Sequence, residues 1–401
     1  MAAVTSLLHD QSVSISCPCA DSEEDLLPLH SFTRFKTLVL SLAAKSGLAG
    51  EIKTAVDINT IANKVYQHNF PGVKLLQRNI QSLTAKEINS YNIDMILMSP
   101  PCQPFTRVGL KRDTSDSRTC SFLHLLKLFP DIDRRWKYLL VENVKGFEKS
   151  EACYQLIQVL EALDFRYQQF ILSPSMFSIP NTRHRYYLIA KRNPLDFTFS
   201  QQPNVMESFP VTLHGACNDT GKVYEEMFSL NSKYECLVQE NEVQSEETCY
   251  ALSNILEVEK FANYFEAFKL PEKVLEKHSW LLDIVWLKSR RSCCFTKAYA
   301  HYVEGTGSVF CPESPEKVAS TFQHVRSYEP GSSEHLQLLK GLKLRYFTPR
   351  EISRLMCFPD QYFSFPSDIT TKQSYRLLGN SINVHVVALL ILLMTAGDNV
   401  C

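Results

Sequence analysis

Two hydrophobic periods alternate along most of the chain. Short apolar runs at residues 95–98, 138–141, 167–172 and 186–190 have the length of strands, and between them residues 60–70, 122–129 and 153–163 repeat with helical spacing. Residues 51–59 and 73–77 read as two further strands, and residues 35–42 lead through Ala43-Ala44-Lys45-Ser46-Gly47 as a helix closed by glycine. Runs that are apolar at every position suit strands covered on both faces, so the pattern predicts an α/β fold around a mostly parallel sheet. The alternation fades from about residue 193 to 287, where Glu225, Glu226, Glu240, Glu242, Glu246 and Glu247 make the chain polar and acidic. Residues 1–29 hold no sustained period and read as a poorly ordered arm.

Strand ends in such a sheet are where chemistry collects, because the carboxyl edge of a doubly wound sheet opens onto a crevice. The first strand ends in Asp57, whose carboxylate either receives ribose hydroxyls or caps the following helix. Asn79 and Ile80, after the next strand, are placed to meet an adenine edge and face. The run 95–98 ends at Ser99 and passes into Pro100-Pro101-Cys102-Gln103-Pro104-Phe105. Three prolines fix three backbone angles and remove three donors, so Cys102 rides on a loop with little freedom, as a preorganised nucleophile would. A thiol with a reference pKa of about 8.5 needs a nearby positive charge, for which Arg107 is a candidate. The run 138–141 delivers a second carboxylate, Glu142, to the same edge, followed by Asn143-Val144. Arg183 and Arg185 alternate before the run 186–190 and form a fork for oxyanions or base carbonyls.

Composition narrows the classes. With 401 residues, 45% of them apolar, the chain can bury a large core, so one large domain or two smaller ones are expected. The 42 basic and 43 acidic side chains nearly cancel, so any nucleic-acid contact must come from a local basic face. Lys288, Arg290 and Arg291, and later Lys340, Lys343, Arg345, Arg350 and Arg354, are the candidates. The thirteen cysteines lack paired metal-ligand spacing, and Cys17-Pro-Cys19 has no matching pair, so no metal is expected and the thiols are read as reduced and intracellular. The apolar run at 389–394 is too short to span a bilayer, so no membrane partner is expected.

The order of these parts resembles the cytosine-5 methyltransferases. The carriers are Ser99-Pro100-Pro101-Cys102-Gln103-Pro104-Phe105, Glu142-Asn143-Val144, Arg183-x-Arg185 and Arg376-Leu377-Leu378-Gly379-Asn380-Ser381. In addition, Arg291-Ser292-Cys293-Cys294-Phe295-Thr296-Lys297 with Glu304-Gly305-Thr306-Gly307-Ser308 is similar to the signature of the branch that modifies the anticodon loop of aspartate tRNA. The likeness runs from about residue 42 to about 393. It implies a Rossmann-like class I methyltransferase sheet with a smaller inserted target-recognition domain, divided as an arm at 1–29, a first catalytic part at 30–192, a variable lobe at 193–287, and a second part at 288–401 that returns to the catalytic domain.

The resemblance also implies the chemistry. Cys102 adds to C6 of a cytosine, Glu142 holds or protonates N3, and Arg183 and Arg185 support the base carbonyl. The cofactor implied is S-adenosyl-L-methionine, met by Asp57, Ile58, Asn79, Ile80 and Ser99, with Asn380 and Ser381 closing its site. Arg290, Arg291, Cys294, Phe295, Thr296 and Lys297 are the implied substrate contacts. The partner implied is tRNA, with DNA as the alternative substrate; the protein is expected to be a monomer of the cytoplasm and also the nucleus.

One departure bears on activity. The family's glycine-rich cofactor loop falls near residues 30–38, where this chain has His-Ser-Phe-Thr-Arg-Phe-Lys-Thr-Leu, and no glycine precedes Gly47. Side chains there obstruct the close backbone approach that glycine permits. The expectation is a form that binds the cofactor weakly or not at all, and with it an RNA-binding variant that does not methylate.

Overall fold

The computed structural model describes residues 51–100, 120–210 and 248–398. The arm at 1–29, the stretch at 30–38, the helix expected after residue 35, Cys102, Arg107 and the acidic run from Glu225 to Glu247 lie outside the described residues.

Strand β1 (Thr54–Val56) leads through Asp57 into helix α1 (Thr60–Asn69), and the parallel strand β2 (Lys74–Leu76) follows. Asn59 starts α1 by accepting the Ala62 amide at 2.8 Å, which satisfies one of the open donors at the helix start. Helix α2 (Ala85–Ser90) precedes β3 (Met95–Met98), all four of whose side chains are buried. Next come α3 (Cys120–Leu128), β4 (Tyr138–Val144), α4 (Glu151–Ala162), β5 (Phe165–Leu172) and β6 (Arg185–Arg192).

The order in the main sheet is β3-β4-β6-β5, with β3 parallel to β4 and β6 antiparallel to both its neighbours. The expected mostly parallel sheet is therefore mixed, and the reason lies in the connections. Helix α4 crosses from β4 to β5 and leaves them parallel, whereas the link from β5 to β6 carries only a single tight turn at Pro174–Phe177. Without a crossover helix the chain reverses, and β6 slots antiparallel between its two elders.

Period-two alternation sorts side chains to the two faces. Met95, Leu97, Tyr138, Leu140, Tyr187 and Ile189 enter one core with Ala62, Val65 and Tyr66 of α1. Ile96, Met98, Leu139, Val141, Tyr186 and Leu188 enter the other, with Phe122, Leu125 and Leu126 of α3 and Ala152, Leu156 and Leu160 of α4. The result is a sheet between two helical layers.

A second, smaller core collects Leu270, Leu275, Val309, Val318, Val325, Leu339 and Leu344. It is built from α5 (Glu272–His278), α6 (Pro315–Val325), α7 (Ser333–Lys340) and the short sheet β7 (Ile284–Val285), β8 (Val309–Phe310) and β9 (Arg345–Tyr346). This packing unit draws on both sides of the boundary expected at 287/288, with β7 and β8 paired across it.

The chain then returns to the first core through α8 (Pro349–Leu355), α9 (Thr371–Gly379) and α10 (Val384–Thr395). Thr348 and Glu351 form a capping box with Pro349 at the first helical position. Every residue of α10 is buried. Among the described residues the stretch Thr371–Thr395 is apolar enough to cross a membrane, and its most apolar window is wholly buried inside the protein.

Candidate active site

Strand β4 carries Glu142 near its carboxyl end, still within the ladder and opposite Tyr187 of β6. The Glu142 side chain is 1% exposed. Ser99, the residue after β3, donates its hydroxyl to Glu142 Oε2. The adjacent Asn143 donates from Nδ2 to the Pro100 carbonyl at 3.4 Å. The start of the proline loop is thus tied to the end of β4 by two consecutive side chains. Cys102 lies two residues beyond Pro100 and outside the described residues.

On the other side of Glu142 stands Arg185, with Nε 3.6 Å from Oε1. Arg185 also reaches Cys294 Sγ from Nη2 at 3.8 Å. Arg183, two residues earlier, is almost wholly buried and its terminal nitrogens are fully committed. Nη1 donates to Cys294 Sγ at 3.2 Å and to the Phe295 carbonyl at 3.0 Å, and Nη2 donates to the Gly379 carbonyl at 3.1 Å and to the Ser381 carbonyl. One guanidinium therefore ties three distant segments together, a geometry that its planar set of five donors permits. The expected pair of carbonyl donors is divided as a result: Arg183 positions backbone, and Arg185 is the member that faces Glu142.

Charges act on the Cys294 thiol in opposite directions. Burial pushes its pKa up, but the adjacent Arg183 and Arg185 guanidiniums outweigh burial and hold it below its ordinary value of 9.0. Burial first, and then the Arg185 charge, pull the Arg183 guanidinium below its ordinary value.

The Cys294 segment is held from behind. Thr182 donates its amide to the Ser292 carbonyl at 2.9 Å, and Asn181 Nδ2 bonds Ser292 Oγ at 3.1 Å and the Cys293 carbonyl at 3.0 Å. Ser173 Oγ accepts the Arg183 amide at 3.1 Å. Sequence reasoning gave no role to Ser173, Asn181 or Ser292; their polarity in otherwise apolar surroundings was the available signal. It also missed Gly379. A Cβ there would stand 2.1 Å from the Thr296 carbonyl carbon and 2.2 Å from the Lys297 nitrogen, so only glycine lets α9 approach that backbone.

Two expectations about basic residues need correction. Arg345 is buried and makes a double hydrogen bond to Glu351 at 2.8 and 2.7 Å, so it braces α8 and offers nothing to a surface partner. Arg350 and Arg354 both pair with Asp360, and Lys340 with Glu272. Of the expected substrate contacts, Arg291 is tied to Asp283 at 2.8 Å, Arg290 donates to the Cys249 carbonyl, and Phe295 is 1% exposed.

The donor set suited to a cofactor is partly in place. Asp57 is fully buried; its Oδ1 accepts the Asn59 amide at 2.8 Å, while Oδ2 has no hydrogen-bond partner among the described residues. Burial raises its pKa well above the usual carboxylate range, and the backbone amides of Asn59 and Ile58 offset this only in part. A lone buried carboxylate oxygen is the acceptor that a ribose hydroxyl requires, so this residue fits an adenosyl group. Ile58 is half-buried beside it. Asn79 turns its carbonyl onto the Gln81 amide at 2.9 Å, and Ile80 is buried in the core below the sheet. Asn380 Nδ2 bonds the Arg376 carbonyl at 2.8 Å. No group of three or more histidine, cysteine or acidic side chains suited to a metal occurs among the described residues.

Residues 35–393 match the model of the C-5 cytosine-specific DNA methylase family. A tRNA (cytosine(38)-C(5))-methyltransferase of Spodoptera frugiperda is 42% identical over 344 residues, 86% of this chain and 92% of that relative. The Homo sapiens protein of the same name is 41% identical over 371 residues, covering 86% of this chain and 93% of its own. Among solved structures, that of a Spodoptera frugiperda DNMT2 mutant superposes with a TM-score of 0.74 at 40% identity, covering 91% of this chain and 98% of that one.

Proposed function

The chain belongs to the cytosine-5 methyltransferase family, and on that premise we propose that it methylates C5 of a cytosine in tRNA, at position 38 as in its named relatives. The observation that carries this reading is the gathering of Ser99, Glu142, Arg183, Arg185 and Cys294 at one edge of the sheet. S-adenosyl-L-methionine, when bound, supplies an electrophilic methyl group.

Each residue then has a task. The Cys102 thiolate adds to C6 of the cytosine, and the electron pair of the C5–C6 double bond moves onto the ring, making C5 nucleophilic. Glu142, as the acid, gives its proton to N3, which neutralises the negative charge that builds there as sulfur adds, an interaction strongest in the transition state, and N3 returns that proton when the sulfur leaves. Ser99 and Arg185 hold the Glu142 carboxylate from two sides. Arg185 is the donor for the base carbonyl, and Arg183 fixes the backbone around it. After C5 gains the methyl group, a water molecule takes the C5 proton, the C6–sulfur bond breaks with its electron pair on sulfur, and the aromatic ring and the Cys102 thiolate are restored. Asp57 Oδ2 accepts from the ribose, and Ser99, Asn380 and Ser381 border the cofactor. The target base must leave its stack, which costs less from a loop than from a duplex.

The test is methyl transfer to a tRNA transcript carrying cytosine 38, beside a transcript with uridine there and a DNA duplex. Transfer confined to the first, abolished by Cys102→Ala, is the expected result; transfer to the duplex alone defeats it. The segment at 30–38 favours a second reading, an RNA-binding form without activity. Tight RNA binding with no transfer, restored by a glycine-rich start, is the outcome that selects it.

A further inference from the structure

Downstream of the Cys294 segment the chain makes a closed turn whose tip carries an exposed aromatic ring. The Thr296 amide donates to the Thr306 carbonyl at 2.9 Å and closes the turn, while the His301 and Tyr302 amides both donate to the Ala298 carbonyl, at 2.9 and 3.0 Å. Thr306 Oγ1 donates to the Tyr302 carbonyl at 2.7 Å. Beneath them Tyr299 is buried. Its ring packs edge-on against Phe295 at 4.9 Å and Tyr375 at 5.0 Å, and its hydroxyl donates to the Ser308 carbonyl at 2.7 Å and accepts the Phe347 amide at 2.9 Å. Gly307, at φ 147°, closes the turn where a Cβ would strike the Phe295 and Tyr299 rings at 2.7 Å. Tyr302 stands on this rigid base with 64% of its surface exposed and the His301 ring edge-on at 4.6 Å.

The base of the turn is the wall of the candidate active site. The Phe295 carbonyl receives Arg183, and the Thr296–Lys297 backbone lies against Gly379. An exposed aromatic is a common surface feature and usually means little. This one differs in that its backbone is held by hydrogen bonds through both its amide and its carbonyl, and in standing one short turn from the residues that would receive the target base.

We propose that Tyr302 is a stacking platform for a nucleobase flanking the target cytosine, an inference that rests on the RNA-methylating reading of the same site. A loop that gives up one base to a pocket leaves its neighbours unstacked, and an aromatic face carried on a held backbone replaces the lost stacking. The residue sets how the loop lies over the pocket and takes no part in bond making.

Three variants of the full chain test this with an anticodon stem-loop bearing 2-aminopurine beside the target cytosine. Tyr302→Ala is expected to raise KM for the RNA about tenfold, with kcat changed much less, and to lose quenching of the fluorophore on binding. Tyr302→Phe is expected to keep both KM and quenching, and Tyr302→Leu to keep neither. An alanine variant with unchanged KM and undiminished quenching overturns the proposal, as does a leucine variant that performs like phenylalanine. The fluorescence arm needs no catalysis: a wild type that quenches but transfers no methyl group counts against the methylation reading and leaves the stacking result standing.

Discussion

Arg183 Nη1 lies 3.2 Å from the Cys294 sulfur, 111 residues further along the chain, and the same guanidinium closes on the backbone carbonyls of Phe295, Gly379 and Ser381. Lysine cannot reproduce this, since its ammonium is a point charge without a planar fork. Arg183→Lys is therefore expected to cost about 3 kcal/mol of stability by leaving buried carbonyls without donors, and to lower kcat at least tenfold. Urea unfolding and methyl-transfer rates measure the two effects; a lysine variant with wild-type values of both contradicts the bridging role.

The thiol at the end of that contact gives a pH signature. Burial opposes ionisation of Cys294, but the two guanidiniums prevail and lower its pKa from 9.0. The native thiol therefore loses its proton at a lower pH than the unfolded one. The resulting stabilisation is fully present above the unfolded value and is lost as pH falls through the lowered native value. Cys294→Ser keeps a hydroxyl but no ionisable group there. Its urea midpoint is expected to fall short of wild type by more at about pH 9.5 than at about pH 7. A deficit that does not change with pH rules out a thiolate at this site.

Gly379 faces the same wall from α9. A methyl group at that position would lie 2.1 Å from one backbone atom of the Thr296–Lys297 segment and 2.2 Å from another, and backbone cannot swing aside as a flexible side chain can. Gly379→Ala is expected to destabilise the protein by about 1–3 kcal/mol and to lower transfer more than binding, because the displaced segment borders Arg183. Melting temperature and single-turnover rates check this. Wild-type melting and rates in the variant would show that the helix can retreat at no cost.

How much of this was legible beforehand depends on the range of the interaction. Strands β3 and β4 and helix α1 follow from the local period, and each appears within a few residues of its expected bounds. Glu142 at the end of β4 and Arg183 and Arg185 at the start of β6 share an edge only because β6 runs antiparallel to β4, so their meeting was not legible in the local pattern. The antiparallel insertion of β6 was not visible, since pairing partners are a choice among distant segments that a single run of apolar residues does not encode. Arg345 was misread as surface for the same reason: its partner Glu351 is near in sequence, but the aromatic rings of Phe265 and Phe310 that bury it are not. Charge on a residue says nothing of its depth until those partners are known.

Asp57 offers a case in which stability and ligand binding pull apart. Its carboxylate is buried with one oxygen bonded to the Asn59 amide and the other without a hydrogen-bond partner among the described residues. Burial raises its pKa well above 3.8, so the native group holds its proton more tightly than the unfolded one. Stability from the neutral form is present below the unfolded pKa and is lost as pH rises through the native value, which leaves a desolvated charge at neutral pH. Asp57→Asn removes that charge at nearly constant volume. The variant, free of cofactor, is expected to gain about 0.5–2 kcal/mol over wild type near pH 8, with the gain shrinking as pH falls toward 4. The same change replaces one of two carboxylate acceptors with an amide donor, so binding of S-adenosyl-L-homocysteine by calorimetry is expected to weaken at least tenfold. A group kept only to cap α1 would give a different pair of results, since asparagine caps as well as aspartate: the stability gain would appear, and binding would not change.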